Sequence, residues 1–227
     1  MIPQWFTTLS IVMLILGGVC ALVIVADILA GHKQHMWIMN VVWPVSALFG
    51  TVLSLWAYFK YGRLATHHAM MEAKQRGEEP PNKKYTPFPA MVGKGTTHCG
   101  SGCTLGDICA EFLAMGFPAV AVWLGWKSLF PANEHGKMFA VWILDYIFAF
   151  LIGVAFQYYT IKPMRGLSPG EGLVQAVKAD ALSLTAWQVG MYGFMALAQF
   201  LIVSRLWDAW LKPSMPAFWF VMQIAML

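Results

Sequence analysis

The sequence predicts an all-α fold, a polytopic membrane helical bundle of about six transmembrane helices, and three observations lead to that prediction. Of the 227 residues, 59% are hydrophobic and only 11% are charged, whereas soluble domains carry roughly 25% charged residues. Long apolar runs recur along the chain, and a membrane-spanning helix needs roughly 20 such residues. Several of the 11 Trp residues lie near the ends of these runs, which is typical of side chains at a membrane–water interface.

The apolar runs predict six spans in a single transmembrane domain, residues 1–227. We expect the spans at residues 5–31, 36–61, 104–130, 138–161, 181–203 and 216–227. Four prolines near its end predict a polar cytoplasmic loop over residues 62–97, because proline removes a helical hydrogen bond. The last run holds about a dozen residues, which is roughly 18 Å of helix against a hydrocarbon core of roughly 30 Å. We therefore expect a sixth helix that is truncated in this sequence.

The positions of Lys and Arg predict the orientation, because cytoplasmic loops carry an excess of both. With six spans and a cytoplasmic N-terminus, the inner loops hold more basic residues than the outer ones, and the loop at 62–97 contributes most of them. We therefore expect both termini in the cytoplasm. The basic residues flank apolar runs and form no single stripe, so the net charge of +4 does not indicate nucleic acid as a partner. The lipid bilayer is the partner that the composition predicts.

A glycine-rich segment between two cysteines, residues 98–103, is the most distinctive chemical feature of the chain. It reads His-Cys-Gly-Ser-Gly-Cys and is expected at the mouth of the third helix. Thr104 and Asp107 have the spacing of a helix-capping pair, which predicts a helix start directly after the second cysteine. Cys103, Asp107 and Glu111 follow one another at intervals of four and therefore share one helix face. Cys99 joins this face only if the helix begins earlier.

Binding of a soft transition metal is the first functional hypothesis for this segment. Thiolate, thioether and imidazole donors together suit copper first and zinc second, although the Cys-x3-Cys spacing differs from the Cys-x2-Cys pairs of zinc ribbons. The alternative is a tight glycine turn with structural thiols and solvated histidines. The candidate ligands at this end of the bundle are His98, Cys99, Cys103, His67, His68, Met70 and Met71. A second set, expected on the opposite side, is His32, His35, Met36 and Met39.

Four acidic residues fall inside or beside the apolar runs. A carboxylate at membrane depth costs at least about 2.5–3.5 kcal/mol, so each should face the bundle interior and have a partner. They could form a path for protons or other cations, or they could make hydrogen bonds that hold the helices together. These intramembrane polar residues are Asp27, Asp107, Glu111 and Asp145.

No catalytic constellation is visible, so no catalytic residue is assigned and the sequence leans away from an enzyme. It contains no P-loop and no His-Glu-x-x-His pattern. Two other functions stay open beside metal binding. One is a non-catalytic accessory subunit packed against other subunits of a larger membrane complex. The other is thiol–disulfide chemistry by Cys99 and Cys103, which a cytoplasmic location disfavours.

Four stretches of the chain carry a resemblance to a known family. They are residues 39–44 (Met-Asn-Val-Val-Trp-Pro), 97–107 (Thr-His-Cys-Gly-Ser-Gly-Cys-Thr-Leu-Gly-Asp), 157–166 (Gln-Tyr-Tyr-Thr-Ile-Lys-Pro-Met-Arg-Gly) and 178–185 (Lys-Ala-Asp-Ala-Leu-Ser-Leu-Thr). The chain resembles a prokaryotic family of multi-pass membrane proteins that is catalogued as a domain of unknown function. The resemblance implies an inner-membrane protein of bacteria or archaea, and it implies no activity, cofactor or catalytic residue.

Overall fold

Helices make up the regular structure of this protein, which a computed structural model describes over residues 1–227. No β-strand forms, so the predicted all-α fold class is confirmed. The helices are α1 (Gln4–Leu29), α2 (Met39–Ala57), α3 (His67–Arg76), α4 (Pro81–Lys84), α5 (Phe88–Gly116), α6 (Ala119–Trp123), α7 (Glu134–Arg165), α8 (Pro169–Leu197), α9 (Ser204–Trp207) and α10 (Pro216–Ala225). A π-helical segment, Tyr58–Gly62, and a 3-10 turn, Arg63–Ala65, extend α2, and the π-helical segment Ala198–Val203 joins α8 to α9.

Four helical segments are long and apolar enough to cross a membrane, so the chain has the properties of a multi-pass membrane protein. They are Gln4–Leu29, Met39–Ala65, Glu134–Arg165 and Pro169–Trp207. Helix α5 is not among them because glycine, serine, threonine and histidine dilute its apolar residues. It nevertheless runs for 29 residues, roughly 43 Å at 1.5 Å per residue, and packs against α2, α7 and α8. The other helices therefore shield its polar side chains from lipid.

The segment predicted as the second span folds back on itself instead of crossing the bundle. Thr51 interrupts α2 with φ 42° and ψ −123°, and the chain then returns beside its own first limb, where Tyr58 meets the Trp43 ring at 5.6 Å. Residues on either side of the segment are joined by main-chain hydrogen bonds, from His35 to Ala65 at 2.9 Å and from His67 to Lys33 at 2.8 Å. The span predicted at 36–61 is therefore a re-entrant helical hairpin, which we call the α2 hairpin.

This hairpin determines which polar segments share an end of the bundle. The C-terminal end of α1, both ends of the α2 hairpin, α3 and α4 lie together at what we call the basic end. The opposite end carries the start of α1, where Phe6 packs on Trp207 at 4.9 Å, and the start of α7, where His135 meets Trp210 at 4.4 Å. The sequence-based topology separated Lys33 from Arg63 across the membrane, and the structure brings them to one side.

Helix α10 is a second short apolar element that approaches the hairpin from the opposite end. It has 10 residues, roughly 15 Å of helix, too short to cross a hydrocarbon core. Near its C-terminal end the Gln223 side-chain amide donates to the main-chain oxygens of Leu48 at 2.6 Å and Met13 at 3.3 Å. The tip of the hairpin and the end of α10 therefore meet beside the middle of α1.

Three further boundaries differ from the sequence-based expectation. The predicted loop at 62–97 contains α3 and α4 and, from Phe88, the beginning of α5. Helix α5 ends at Gly116, where Pro118 follows, so no single helix covers residues 104–130. Helix α8 begins at Pro169 and not near residue 181. The cause is the Ser168–Glu171 capping box, which satisfies free amide groups of the first turn and starts the helix early.

Candidate functional site

The Cys-Gly-Ser-Gly-Cys segment lies inside α5 and not at a helix mouth. Helix α5 begins eleven residues before Cys99, so the capping role expected for Thr104 is wrong. The Thr104 hydroxyl instead donates to the main-chain oxygen of Gly100 at 2.7 Å, one turn back in the same helix. The expectation failed because closely spaced glycines occur in turns and also in helices that pack closely against neighbouring helices.

The glycines of α5 serve close packing against α7 and α8. A Cβ added to Gly102 would lie 2.9 Å from the Gly153 Cα of α7. A Cβ at Gly106 would overlap the Ala149 backbone, also in α7. One at Gly100 would lie 2.6 Å from the Trp187 ring of α8. The three helices therefore approach closely enough for their polar side chains to meet in the interior.

Because α5 starts early, Cys99 joins Cys103, Asp107 and Glu111 on one helix face. All four side chains are buried. Successive members are one turn, roughly 6 Å, apart, so the stripe covers roughly 18 Å along the helix. The stripe faces α7 and α8, since Asp107 bonds to α8 and Ala149 of α7 packs with both thiols. The sequence predicted Cys99 on this face only if the helix began earlier, and α5 does begin earlier.

The two thiols of this stripe lie close together. The Sγ atoms of Cys99 and Cys103 are 4.0 Å apart, and Asp180 of α8 lies beside Cys99. His98 is on a different face of α5, where its Nδ1 is 3.4 Å from the Thr160 hydroxyl of α7. Of the seven predicted ligands, the structure therefore brings together only the two thiols.

Four carboxylates form what we call the acidic column: Asp107 and Glu111 of α5, Asp145 of α7 and Asp180 of α8. Their exposed fractions are 0%, 6%, 1% and 0% respectively. Gln188 of α8 donates to Asp107 Oδ1 at 2.8 Å. Asp145 is close enough to Asp107 and Glu111 for charge–charge repulsion between these carboxylates. The column therefore joins three helices along the axis of the bundle.

The acidic column lacks the partners that buried charges normally have. No Lys, Arg or His forms an ion pair with any of its four carboxylates. Asp107 Oδ2 and Asp145 Oδ1 are buried without a hydrogen-bond partner, and the polar groups closest to the buried Asp180 carboxylate are the Cys99 thiol and the Gln157 amide. An ionised carboxylate left in this state is strongly disfavoured.

Asp27, the fourth intramembrane carboxylate predicted from the sequence, has a different environment. It forms an ion pair with Arg63 and accepts a hydrogen bond from Tyr58 at 2.7 Å. His32 Nδ1 is also 3.2 Å from its Oδ1. Three partners satisfy this carboxylate, so Asp27 stabilises the contact between α1 and the α2 hairpin and does not belong to the acidic column.

The column reaches a cavity at the opposite end of the bundle. The cavity has a volume of about 220 Å³, and Glu111 lines it together with Lys137, Glu134 and Lys212. Glu134 and Lys212 form an ion pair at 3.6 Å, and both are about half exposed. At the other end of the column, Asp180 and Gln157 lie on the side of the basic end. Solvent and ions can therefore approach Glu111 from the opposite end.

The remaining predicted ligands lie on the surface at the basic end. His67 and His68 are exposed at the start of α3, and Met70 and Met71 follow in the same helix. No hydrogen bond or aromatic contact joins them to the cysteines. No group of three or more His, Cys, Asp or Glu side chains is arranged to hold a metal ion.

Asp180 is the main site residue whose position the sequence did not reveal. Asp180 directly precedes the span predicted at 181–203, yet it is fully buried. A usable signal was present, because Asp180, Leu184 and Gln188 recur at intervals of four and are each 0% exposed. The Ser-x-x-Glu spacing of Ser168 and Glu171 was a second usable signal, because this pattern is typical of a helix start.

The fold and the site define a class: a helical membrane protein with unpaired carboxylates in its interior. A family model described as a domain of unknown function (DUF4396) matches residues 90–227, more than half of the chain, and the chain belongs to that family. The matched region begins in the first turn of α5 and contains the whole acidic column. No curated protein and no solved structure matches the chain.

Proposed function

We propose that this protein carries cations, protons first, along the acidic column between α5, α7 and α8. The observation that supports the proposal is that Asp107 and Asp145 each have a buried carboxylate oxygen without a partner. A carboxylate that is buried only for structural reasons normally has a donor, as Asp27 has in this same chain. Exchange of a bound cation gives the unpaired groups a role that packing alone does not.

The spacing of the column suits stepwise transfer. Asp107 and Glu111 are one helical turn apart, and Asp145 of α7 faces both. Gln188 donates to Asp107 through its amide nitrogen, while its Oε1 is buried and unpaired and is available to a protonated carboxyl or a hydrated cation. Cations would enter or leave through the cavity beside Glu111.

The hairpin also changes the orientation that the basic residues favour. All of the 15 Lys and Arg residues lie towards the basic end except Lys127, Lys137, Arg205 and Lys212. Because cytoplasmic segments carry the excess of Lys and Arg, we propose that the basic end faces the cytoplasm. The N-terminus of α1 is then outside, opposite to the orientation expected from six spans, and the Glu111 cavity opens outward.

A flux assay tests the proposed function. The purified full chain is reconstituted into vesicles that contain a pH-sensitive dye, and a potassium diffusion potential drives protons. We expect a proton flux that Asp145→Asn and Asp107→Asn each reduce at least tenfold. Glu171→Gln is the matched control, because Glu171 is an exposed carboxylate at the start of α8, outside the column. Wild-type flux equal to that of protein-free vesicles, for protons, sodium and copper(I) alike, would contradict the proposal.

A second candidate is binding of a soft metal ion, copper(I) before zinc, by Cys99 and Cys103. The 4.0 Å separation of the two sulfur atoms favours it, because two metal–sulfur bonds of about 2.3 Å can bridge that distance. A bound ion would sit at the inner end of the acidic column.

Metal content measured by elemental mass spectrometry tests the second candidate. We expect about one copper or zinc ion per chain, lost in the Cys99→Ser/Cys103→Ser variant and kept in Cys109→Ser. Cys109 is the matched control because it is an exposed thiol in the same helix. Equal metal content in all three proteins would rule out the thiol site and leave the flux proposal unaffected.

A further inference from the structure

The α2 hairpin brings together two histidine-containing segments that the sequence had separated across the membrane. The amide of His35 donates to Ala65 at 2.9 Å, and the amide of His67 donates to Lys33 at 2.8 Å. Gln34 and Thr66 form an isolated antiparallel bridge between these bonds. In such a bridge, residues next to the paired positions point to the same face. His35 and His67 therefore emerge side by side.

We propose that His35 and His67 form a binding site for a divalent transition-metal ion of the zinc and copper class. Their ring centroids are 5.6 Å apart, with planes inclined at 33°. A metal–nitrogen bond of about 2.0–2.1 Å puts each ring centroid roughly 3.2 Å from the metal, so two rings at a tetrahedral angle have centroids roughly 5.2 Å apart. The observed separation needs only a small adjustment to accommodate an ion.

The ring nitrogens of this histidine pair are free to coordinate. The neighbouring histidines are engaged, since His32 lies 3.2 Å from Asp27 and His68 lies 3.9 Å from Glu72. The imidazole rings of His35 and His67 have no hydrogen-bond or ion-pair partner and are exposed at the basic end. Neutral imidazole is a preferred ligand of zinc and copper. The pair therefore offers two unoccupied donors at a fixed separation.

A polar cavity beside His67 has room for the ligands that complete the coordination. Its volume is about 700 Å³, and Lys33, Gln34, Asn40 and Glu72 contribute to its lining. His67 lines this cavity and His35 does not. Water molecules in the cavity can therefore approach an ion from the His67 side and occupy its remaining coordination positions.

A metal ion at this position would lock the base of the hairpin. One ligand precedes α2 and the other follows it, so the bound ion closes the loop that contains the whole hairpin. A ligand that binds only the folded state raises its stability in proportion to the logarithm of its concentration. The site lies outside the matched family region at 90–227 and is independent of the acidic column.

Zinc titration of the purified full chain in detergent tests this site, with calorimetry and the melting temperature as readouts. We expect His35→Ala and His67→Ala each to weaken zinc binding by roughly a factor of ten or more and to abolish the zinc-dependent rise in melting temperature. Both rings are exposed, so the metal-free melting temperatures should match that of the wild type. His135→Ala is the matched control, because His135 is an exposed histidine at the opposite end of the bundle, and it should bind zinc as the wild type does. Unchanged binding in His35→Ala and His67→Ala, or equal weakening in His135→Ala, would overturn the assignment.

Discussion

The Asp27 carboxylate of α1 forms an ion pair with the Arg63 guanidinium at the end of the α2 hairpin. The Asp27 side chain is 11% exposed and that of Arg63 is 40% exposed, and Tyr58 donates to the same carboxylate at 2.7 Å. We expect Arg63→Gln to lower the free energy of unfolding by roughly 1–3 kcal/mol, because it leaves a mostly buried carboxylate with fewer partners.

A double-mutant cycle isolates this contact from other effects of the substitutions. Asp27→Asn, Arg63→Gln and the double variant are compared by unfolding in detergent. A coupling energy of roughly 0.5–3 kcal/mol is expected for residues in direct contact. If the effects of the two single variants simply add, the ion pair does not hold the hairpin against α1.

The hairpin predicts that residues before and after α2 are accessible from the same side of the membrane. Lys33→Cys and Lys74→Cys, at exposed positions, should both react with an impermeant maleimide added from the cytoplasmic side. Lys212→Cys should react only from the other side. The wild-type chain controls for its four native cysteines. Labelling of Lys33→Cys and Lys74→Cys from opposite sides would contradict the hairpin and show that residues 36–61 cross the membrane.

Because α5 packs closely on α7, the effect of a glycine-to-alanine substitution on stability should depend strongly on its position along α5. Gly106→Ala should destabilise the fold strongly, by more than about 2 kcal/mol, because its Cβ would overlap the Ala149 backbone. Gly95→Ala is the matched control, since a Cβ there meets nothing within 4 Å. It should be neutral or stabilising by up to about 1 kcal/mol. Melting temperatures that fall equally would contradict the close approach.

Composition and periodicity predicted the fold class and much of the candidate stripe. Low charge and long apolar runs are sufficient for a membrane bundle, since bilayer dimensions set helix length. The interval of four predicted the shared face of Cys103, Asp107 and Glu111. The contacts of Asp107 with Gln188, and the lack of any for Asp145, depend on helix packing, which a linear pattern does not specify.

The α2 hairpin could not be predicted from hydropathy, because hydropathy counts apolar residues and is insensitive to a reversal of direction. Residues 36–61 are long enough to cross a membrane and contain no polar turn. The residue directly before the reversal is Gly50, and a glycine within an apolar helix is common in membrane proteins. It therefore does not by itself indicate a reversal. The orientation expected from the sequence therefore counted residues 36–61 as a second crossing, and the hairpin geometry removes that basis for a cytoplasmic N-terminus.

The backbone conformation of Thr51 provides a further test of the hairpin, because a hairpin and a continuous helix predict opposite changes in the free energy of unfolding for Thr51→Gly. Thr51 has φ 42°, a region that is unfavourable for a β-branched residue and accessible to glycine. We expect Thr51→Gly to raise the free energy of unfolding by roughly 1–3 kcal/mol through relief of this strain. In a continuous helix the same substitution would lower stability by a few tenths of a kcal/mol, because threonine is itself a weak helix former. Unfolding of Thr51→Gly, with Thr51→Ala as the control that keeps a Cβ, therefore distinguishes a re-entrant hairpin from a crossing helix.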